Sequence, residues 1–146
     1  MLMGIDPLLT PELLMVMRSM GHGDDLLLCD RNHPAASIAR HTTHGHVIHV
    51  PLPDMMNLAR AVLKHFPLDT FVGAPITRMK VVGDPDRLVK AHHDMQAVAD
   101  AAAGGSVTIR AVERFDFYAE ARSAFAVVQT ADPGPYGCFL IRKGVL

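Results

Sequence analysis

The stretch from Asp25 to Asp30 holds the continuous apolar run Leu26-Leu27-Leu28-Cys29, and it constrains the fold more than any other feature of the chain. A run of this length has the size of a β-strand and no polar face. Such a strand must be covered on both sides, which calls for a central position in a layered α/β structure. Immediately before it stands Gly21-His22-Gly23-Asp24, an imidazole between two glycines. The run thus has an ionisable ring ahead of it and a carboxylate, Asp30, at its far end.

The flanking patterns agree with that frame. Thr10-Pro11-Glu12 predicts a helix start, with Thr10 as N-cap, proline at the first helical position and an acid at the positive end of the dipole. Leu13, Leu14, Met17 and Met20 follow at helical spacing, and Gly21 is the expected left-handed residue after the helix. Arg31-Asn32-His33-Pro34 is a loop by composition, Ala35 to Arg40 a short helical turn, and His46 to Val50 a strand. Asp54 caps a second helix with Met55, Ala59, Val62 and Phe66 along one stripe, and Pro67 closes it. Thr70 to Val72 and Arg78 to Val82 read as strands.

Gly83-Asp84-Pro85 repeats the cap-and-proline device, so a third long helix is expected from there to about Ala103, burying Leu88, Met95, Val98, Ala99 and Ala102. Ser106 to Val112 alternates with period two, as a strand does. Phe115 to Ala124 reads as a helix. Phe125 to Thr130 and Gly137 to Arg142 are strands around the turn Asp132-Pro133-Gly134-Pro135. Helices alternating with short apolar strands predict an α/β fold, a single three-layer α/β/α domain over residues 1–146.

Composition narrows the function classes. With 49% hydrophobic and 20% charged residues the 146-residue chain is not a disordered one. Mean hydropathy is mildly positive at +0.19, yet no apolar run approaches the ~18 residues of a membrane span. The surplus apolar surface points instead to a homo-oligomer. A net charge of −1, with acids and bases interspersed, lacks the electrostatic footprint of a nucleic-acid binder. Two cysteines without a Cys-x-x-Cys pair fit a reducing cytoplasm. Met1 to Pro7 carries no basic, cleavable leader and reads as the start of the mature chain.

Three ordered patterns together resemble the ribose pyranase / L-fucose mutarotase family. The first is Pro-Glu-Leu-Leu, then Met20-Gly21-His22-Gly23-Asp24 and the apolar strand closing on Asp30, with His33-Pro34-Ala35 after it. The second is Glu113-Arg114-Phe115-Asp116-Phe117-Tyr118 leading into Ala124-Phe125-Ala126-Val127-Val128. The third is Tyr136-Gly137 before a strand ending in Arg142-Lys143-Gly144. The Arg-Phe-x-Phe-Tyr segment places the chain nearer the fucose branch.

The resemblance implies a mixed central sheet and a cofactor-free isomerase that interconverts ring forms of a free monosaccharide, fucose-like or ribose-like. It also implies ring-shaped oligomers, commonly decamers, with sites at subunit interfaces. By position His22 matches the acid/base histidine, Asp30 the sugar-binding aspartate, Arg114 an arginine lining the site, and Tyr136 a tyrosine near the last strand. Where better-known members have Tyr-Gly-Asn this chain has Tyr136-Gly137-Cys138, so Cys138 takes a substrate-binding position with a weakly hydrogen-bonding thiol.

These residue types suit the chemistry. Opening a cyclic hemiacetal takes a proton from the anomeric hydroxyl and gives one to the ring oxygen, and histidine can do either near neutral pH. Asp30 can hold sugar hydroxyls, Arg114 can donate to a sugar oxygen, and Tyr136 can both donate and accept. An extended strand from Asp25 to Asp30 separates His22 from Asp30, so this stretch is expected to supply half a site, completed across a subunit boundary. The alternative is a noncatalytic sugar-binding or regulatory protein on the same fold. His41, His44, His46 and His49 are closely spaced, but a strand would turn His49 away from His44 and His46. No metal is assigned to them.

Overall fold

The computed structural model describes residues 2–146; Met1, where the reading of a mature N-terminus begins, lies outside them. The elements are α1 (Pro11–Ser19), β1 (Asp25–Cys29), α2 (Ala35–Ala39), β2 (Val47–Val50), α3 (Met55–Leu63), β3 (Ile76–Met79), α4 (Lys90–Ala103), β4 (Ile109–Val112), α5 (Arg114–Arg122), β5 (Ala126–Thr130) and β6 (Cys138–Arg142). The six strands form one sheet in the order β2-β5-β1-β6-β3-β4. β1 runs parallel to β5 and antiparallel to β6. The sheet is mixed, and β1 is interior to it, as its apolar run requires.

Alternate residues of the strands feed two separate cores. Leu26 and Leu28 of β1, Val128 of β5 and Ile141 of β6 pack with Leu13 and Met17 of α1, Leu58 and Val62 of α3, and Met95 and Val98 of α4. Leu27 and Cys29, with Val127 and Leu140, face Ile38 of α2 and Phe117 and Ala121 of α5. Three helices thus cover one face and two the other, which is the expected three-layer α/β/α arrangement. No helix is long and apolar enough to cross a membrane among the described residues.

Several local expectations change. Thr70 to Val72 is not a strand. The Asp69 side chain takes the Phe71 N–H at 2.9 Å, an Asx-type turn that withdraws this backbone from any ladder. The following strand is Ile76–Met79, ahead of the expected Arg78 to Val82. The Asp84-Pro85 signal is spent on a single turn, Arg87 N–H to Asp84 C=O at 3.1 Å, and α4 starts only at Lys90. Its start is held by His92, whose Nδ1 accepts the Val89 N–H at 3.3 Å. Leu88 is therefore 46% exposed, and Ala102 is exposed as well. After α1, the extended Met20 ends the helix, and the left-handed conformation falls on Gly23 (φ +86°) instead of Gly21.

Candidate active site

β1 places one polar cluster at each of its ends. At the starting end, the chain leaves α1 through Gly21-His22-Gly23-Asp24. Gly21 N–H donates to Asp24 Oδ2 at 2.7 Å, and Gly23 N–H donates to the Lys143 carbonyl at 2.8 Å. The turn is tied back to the end of β6, and the positive φ of Gly23 lets it close tightly. His22 projects from it with 43% of its side chain exposed. Its Nε2 lies 3.1 Å from Oδ1 of Asp69, which is only 3% exposed. The exposed Phe71 ring meets the imidazole edge-on, centroids 5.2 Å apart.

Asp69 was not singled out in the sequence, and it is the partner that orients His22. The Phe71 N–H and the imidazole both favour its ionised form, so its carboxyl sits below the ordinary range. With Asp69 ionised, His22 presents Nε2–H to it. Nδ1 is then the nitrogen with a free lone pair, and it has no hydrogen-bond partner among the described residues.

At the other end, Asp30 lies just beyond β1 and is 5% exposed. Its N–H donates to the Gly137 carbonyl at 2.6 Å, joining the ends of β1 and β6. Its Oδ1 accepts the N–H groups of Asn32 (2.8 Å) and His33 (3.1 Å), leaving Oδ2 for another donor. Burial raises its pKa, while those N–H groups pull the other way. A Cβ at Gly137 would sit tightly, 3.2 Å from both Asp30 Cβ and Met55 Cε, so a larger residue would need these neighbours to give way.

Asp30, Arg114, Tyr136 and Cys138 line one cavity of about 250 Å³, together with His33 and Tyr118. Arg114 begins α5; its Nε is buried without a partner and its guanidinium sits 4.6 Å over the Phe115 ring. Tyr136 has a left-handed backbone (φ +58°), and its hydroxyl accepts the Val82 N–H at 3.0 Å. The phenolic proton remains available to a ligand. Cys138 is 2% exposed, and burial, helped by nearby Asp30, pushes its thiol far up, so it is a neutral wall of the cavity. His33 is pushed down to about 4 by burial and is neutral at pH 7.

Four of the five residues singled out by position thus share one cavity, and His22 does not. A five-residue strand spans about 17 Å, and β1 lies between His22 and that cavity. Tyr118, which packs against the core beneath α5, also lines the cavity, and so does His33, whose signal is its position just after Asp30. A groove of about 730 Å³ beside the start of α3 contains none of these residues.

The cavity and the exposed His–Asp pair are the two features to set beside known proteins. The L-fucose mutarotase of Haemophilus influenzae (strain 86-028NP) is 39% identical over 147 residues, covering 99% of this chain and 97% of that protein. The human fucose mutarotase is 40% identical, with coverage of 99% and 94%. The crystal structure of the Streptococcus pneumoniae fucose mutarotase in complex with L-fucose superposes with a TM-score of 0.89 at 30% identity, covering 99% of each chain. The sequence profile of the RbsD / FucU transport protein family matches residues 3–146. On that full-length match, as on the shared fold, this chain belongs to the RbsD / FucU family.

Proposed function

We propose that the protein is a cofactor-independent monosaccharide mutarotase. It opens and recloses the ring of fucose or a related free sugar, as one domain of a cytoplasmic homo-oligomer, a decamer by the resemblance. The observation that carries this reading is the split between an exposed, carboxylate-oriented imidazole and a cavity lined by Asp30, Arg114 and Tyr136. The names of the relatives, fucose mutarotases over nearly the whole chain, support the same activity.

The chemistry follows from the atoms. Nδ1 of His22 takes the proton of the anomeric hydroxyl as the C1–O1 bond becomes a carbonyl and the bond from C1 to the ring oxygen breaks. The ring oxygen receives a proton as it leaves. Tyr136 is placed to give it, because its oxygen already accepts from Val82 and its own proton is unshared. Rotation about C1–C2 and reclosure with the reverse transfers yields the other anomer. Asp30 Oδ2 accepts from sugar hydroxyls and Arg114 donates to a sugar oxygen, holding the ring while it opens.

His22 and the cavity occupy opposite ends of β1, so the complete site takes His22 from one copy and the cavity from another. Exposed apolar side chains flank both halves: Phe71 (72%) beside His22, and Phe115 (64%) and Val82 (56%) near the cavity. A second copy seated there would cover them and exclude water from the reacting groups.

The test is anomer exchange by NMR on L-fucose, D-ribose and related free sugars, with particle mass measured in parallel. The expected result is exchange well above the buffer rate for at least one sugar, abolished in His22→Ala, from an oligomer. Sugar binding without accelerated exchange would instead establish a noncatalytic sugar-binding protein.

A further inference from the structure

Away from both ends of β1, three potential ligand atoms converge. Glu12 lies in the first turn of α1, and His44 and His46 lie in the loop before β2. Nε2 of His44 is 2.9 Å from Glu12 Oε1, and Nε2 of His46 is 2.7 Å from the same oxygen. The two rings stand 4.1 Å apart, tilted by 37°. All three ligand atoms lie within 4.8 Å of one another.

The loop is built to hold them. The N–H groups of Thr43 and His44 are anchored on the carbonyls of Ala124 and Phe125. Gly45, at φ +85°, donates its N–H to Thr42 Oγ1, and this turn aims the side chains on either side of it at one point. His44 is held with 10% of its side chain exposed, while His46 (64%) and Glu12 (40%) face solvent. A strand continuing back through His46 would not have produced this; β2 begins only at Val47. His41 and His49 take no part, and the third ligand comes from α1.

We propose that Glu12, His44 and His46 form a binding site for a divalent transition-metal ion of the zinc class. Two imidazoles and a carboxylate are a preferred donor set for such ions, with metal–ligand distances of about 2.0–2.2 Å. Ligand atoms around a tetrahedral ion then sit roughly 3.3 Å apart, so the trio needs to open by about half an ångström, which exposed Glu12 and His46 side chains can do. With the ion bound, each imidazole carries its proton on Nδ1 and offers the Nε2 lone pair to the metal. Water fills the remaining positions on the open side. The bound ion clips the first turn of α1 to the loop before β2, and it has no part in ring opening.

The experiment uses the full-length, tag-free protein titrated with zinc chloride by calorimetry at pH 7.5, with cobalt(II) absorption as a second readout. The expected result is about one ion per chain with micromolar affinity, a cobalt spectrum of a low-coordinate site, and a higher melting temperature with zinc. His44→Ala, His46→Ala and Glu12→Gln should each weaken binding at least tenfold while anomer exchange is kept. Protons compete with the ion for the same ligand atoms, so binding should weaken as pH is lowered. Zinc binding no tighter than millimolar, or binding that His44→Ala and His46→Ala leave unchanged, overturns the proposal.

Discussion

The two ends of β1 treat an imidazole and a carboxylate in different ways. At the start of the strand the imidazole of His22 is exposed, and the carboxylate that orients it, Asp69, is buried beneath it. At the far end the carboxylate, Asp30, is itself buried at the cavity, and the imidazole beside it, His33, is buried and loses its proton readily. A group that must gain and lose a proton in each turnover keeps one nitrogen open and one nitrogen held. A group that must hold a substrate still is fixed by backbone N–H bonds, as Asp30 is by Asn32 and His33. In the proposed mechanism this contrast gives His22 the proton transfer at the anomeric hydroxyl and Asp30 the positioning, while Tyr136 brings the second proton from the cavity end.

The sharpest way to break this division is His22→Ala. Loss of a general acid–base group typically costs about 10²–10⁴ in rate, so kcat for anomer exchange should fall by that much with KM little changed. Because the side chain is 43% exposed, the melting temperature should barely move. A KM effect without a kcat effect would reverse the roles of the two ends.

Asp30→Asn tests the other end and should show the opposite signature. The amide oxygen can still accept the Asn32 and His33 N–H groups, but Oδ2 becomes a donor. A lost charged hydrogen bond is worth about 1.5–3 kcal/mol, so KM should rise roughly 10- to 100-fold. Stability at pH 7 should hold or rise slightly. Burial raises the Asp30 pKa, so the folded state disfavours its ionised form, and that penalty is present at pH 7 and relieved as pH falls through the folded pKa. A clear drop in melting temperature at pH 7 would show that the carboxylate is structural.

Asp69→Asn sits between the two. The side-chain oxygen keeps the Phe71 N–H, but the negative charge beside His22 is gone. Exchange should slow by about tenfold, chiefly in kcat, as expected when an orienting partner is weakened. An unchanged rate would leave His22 oriented by something other than Asp69.

Much of this arrangement is legible in the sequence, and what is not has physical causes. The apolar run Leu26 to Cys29 predicts a central strand and forms one, and the Thr10 cap does accept the Leu13 N–H at 3.2 Å. The grouping of Asp30, Arg114, Tyr136 and Cys138 came from the resemblance, and they do line one cavity. Asp69 was not legible, because its role depends on a turn that brings residue 69 beside residue 22, a contact 47 positions apart. The same turn removed the strand expected at Thr70. The false helix start at Asp84 shows the limit of local capping signals: one turn formed there, but nothing propagated it. The Glu12–His44–His46 convergence is likewise not legible, because it brings a residue of α1 to histidines 32 and 34 positions away.

The smallest expected effect on activity comes from His33, and it sharpens the contrast from the buried side. Its Nε2 is buried without a partner, and its ring meets Phe117 and Tyr118 edge-on, with centroids 5.9 Å and 5.6 Å away. Burial holds its pKa near about 4 instead of 6.5. The unfolded chain therefore binds a proton between these values while the folded chain does not, so stability is full above about pH 6.5 and is lost as pH falls toward 4. At 1.36 kcal/mol per pH unit, that window corresponds to about 3 kcal/mol at most for this residue. His92, also lowered to about 4, adds a second contribution of the same sign. His33→Phe keeps a ring against Phe117 and removes the titration. It should leave exchange within about threefold at pH 7 and reduce the acid loss seen in urea unfolding between pH 6.5 and 4, with the His92 share remaining. If the acid slope were unchanged, His33 would have to take up its proton in the folded protein. The far end of β1 would then hold a proton-exchanging imidazole of its own beside Tyr136, and the contrast between the two imidazoles would fail.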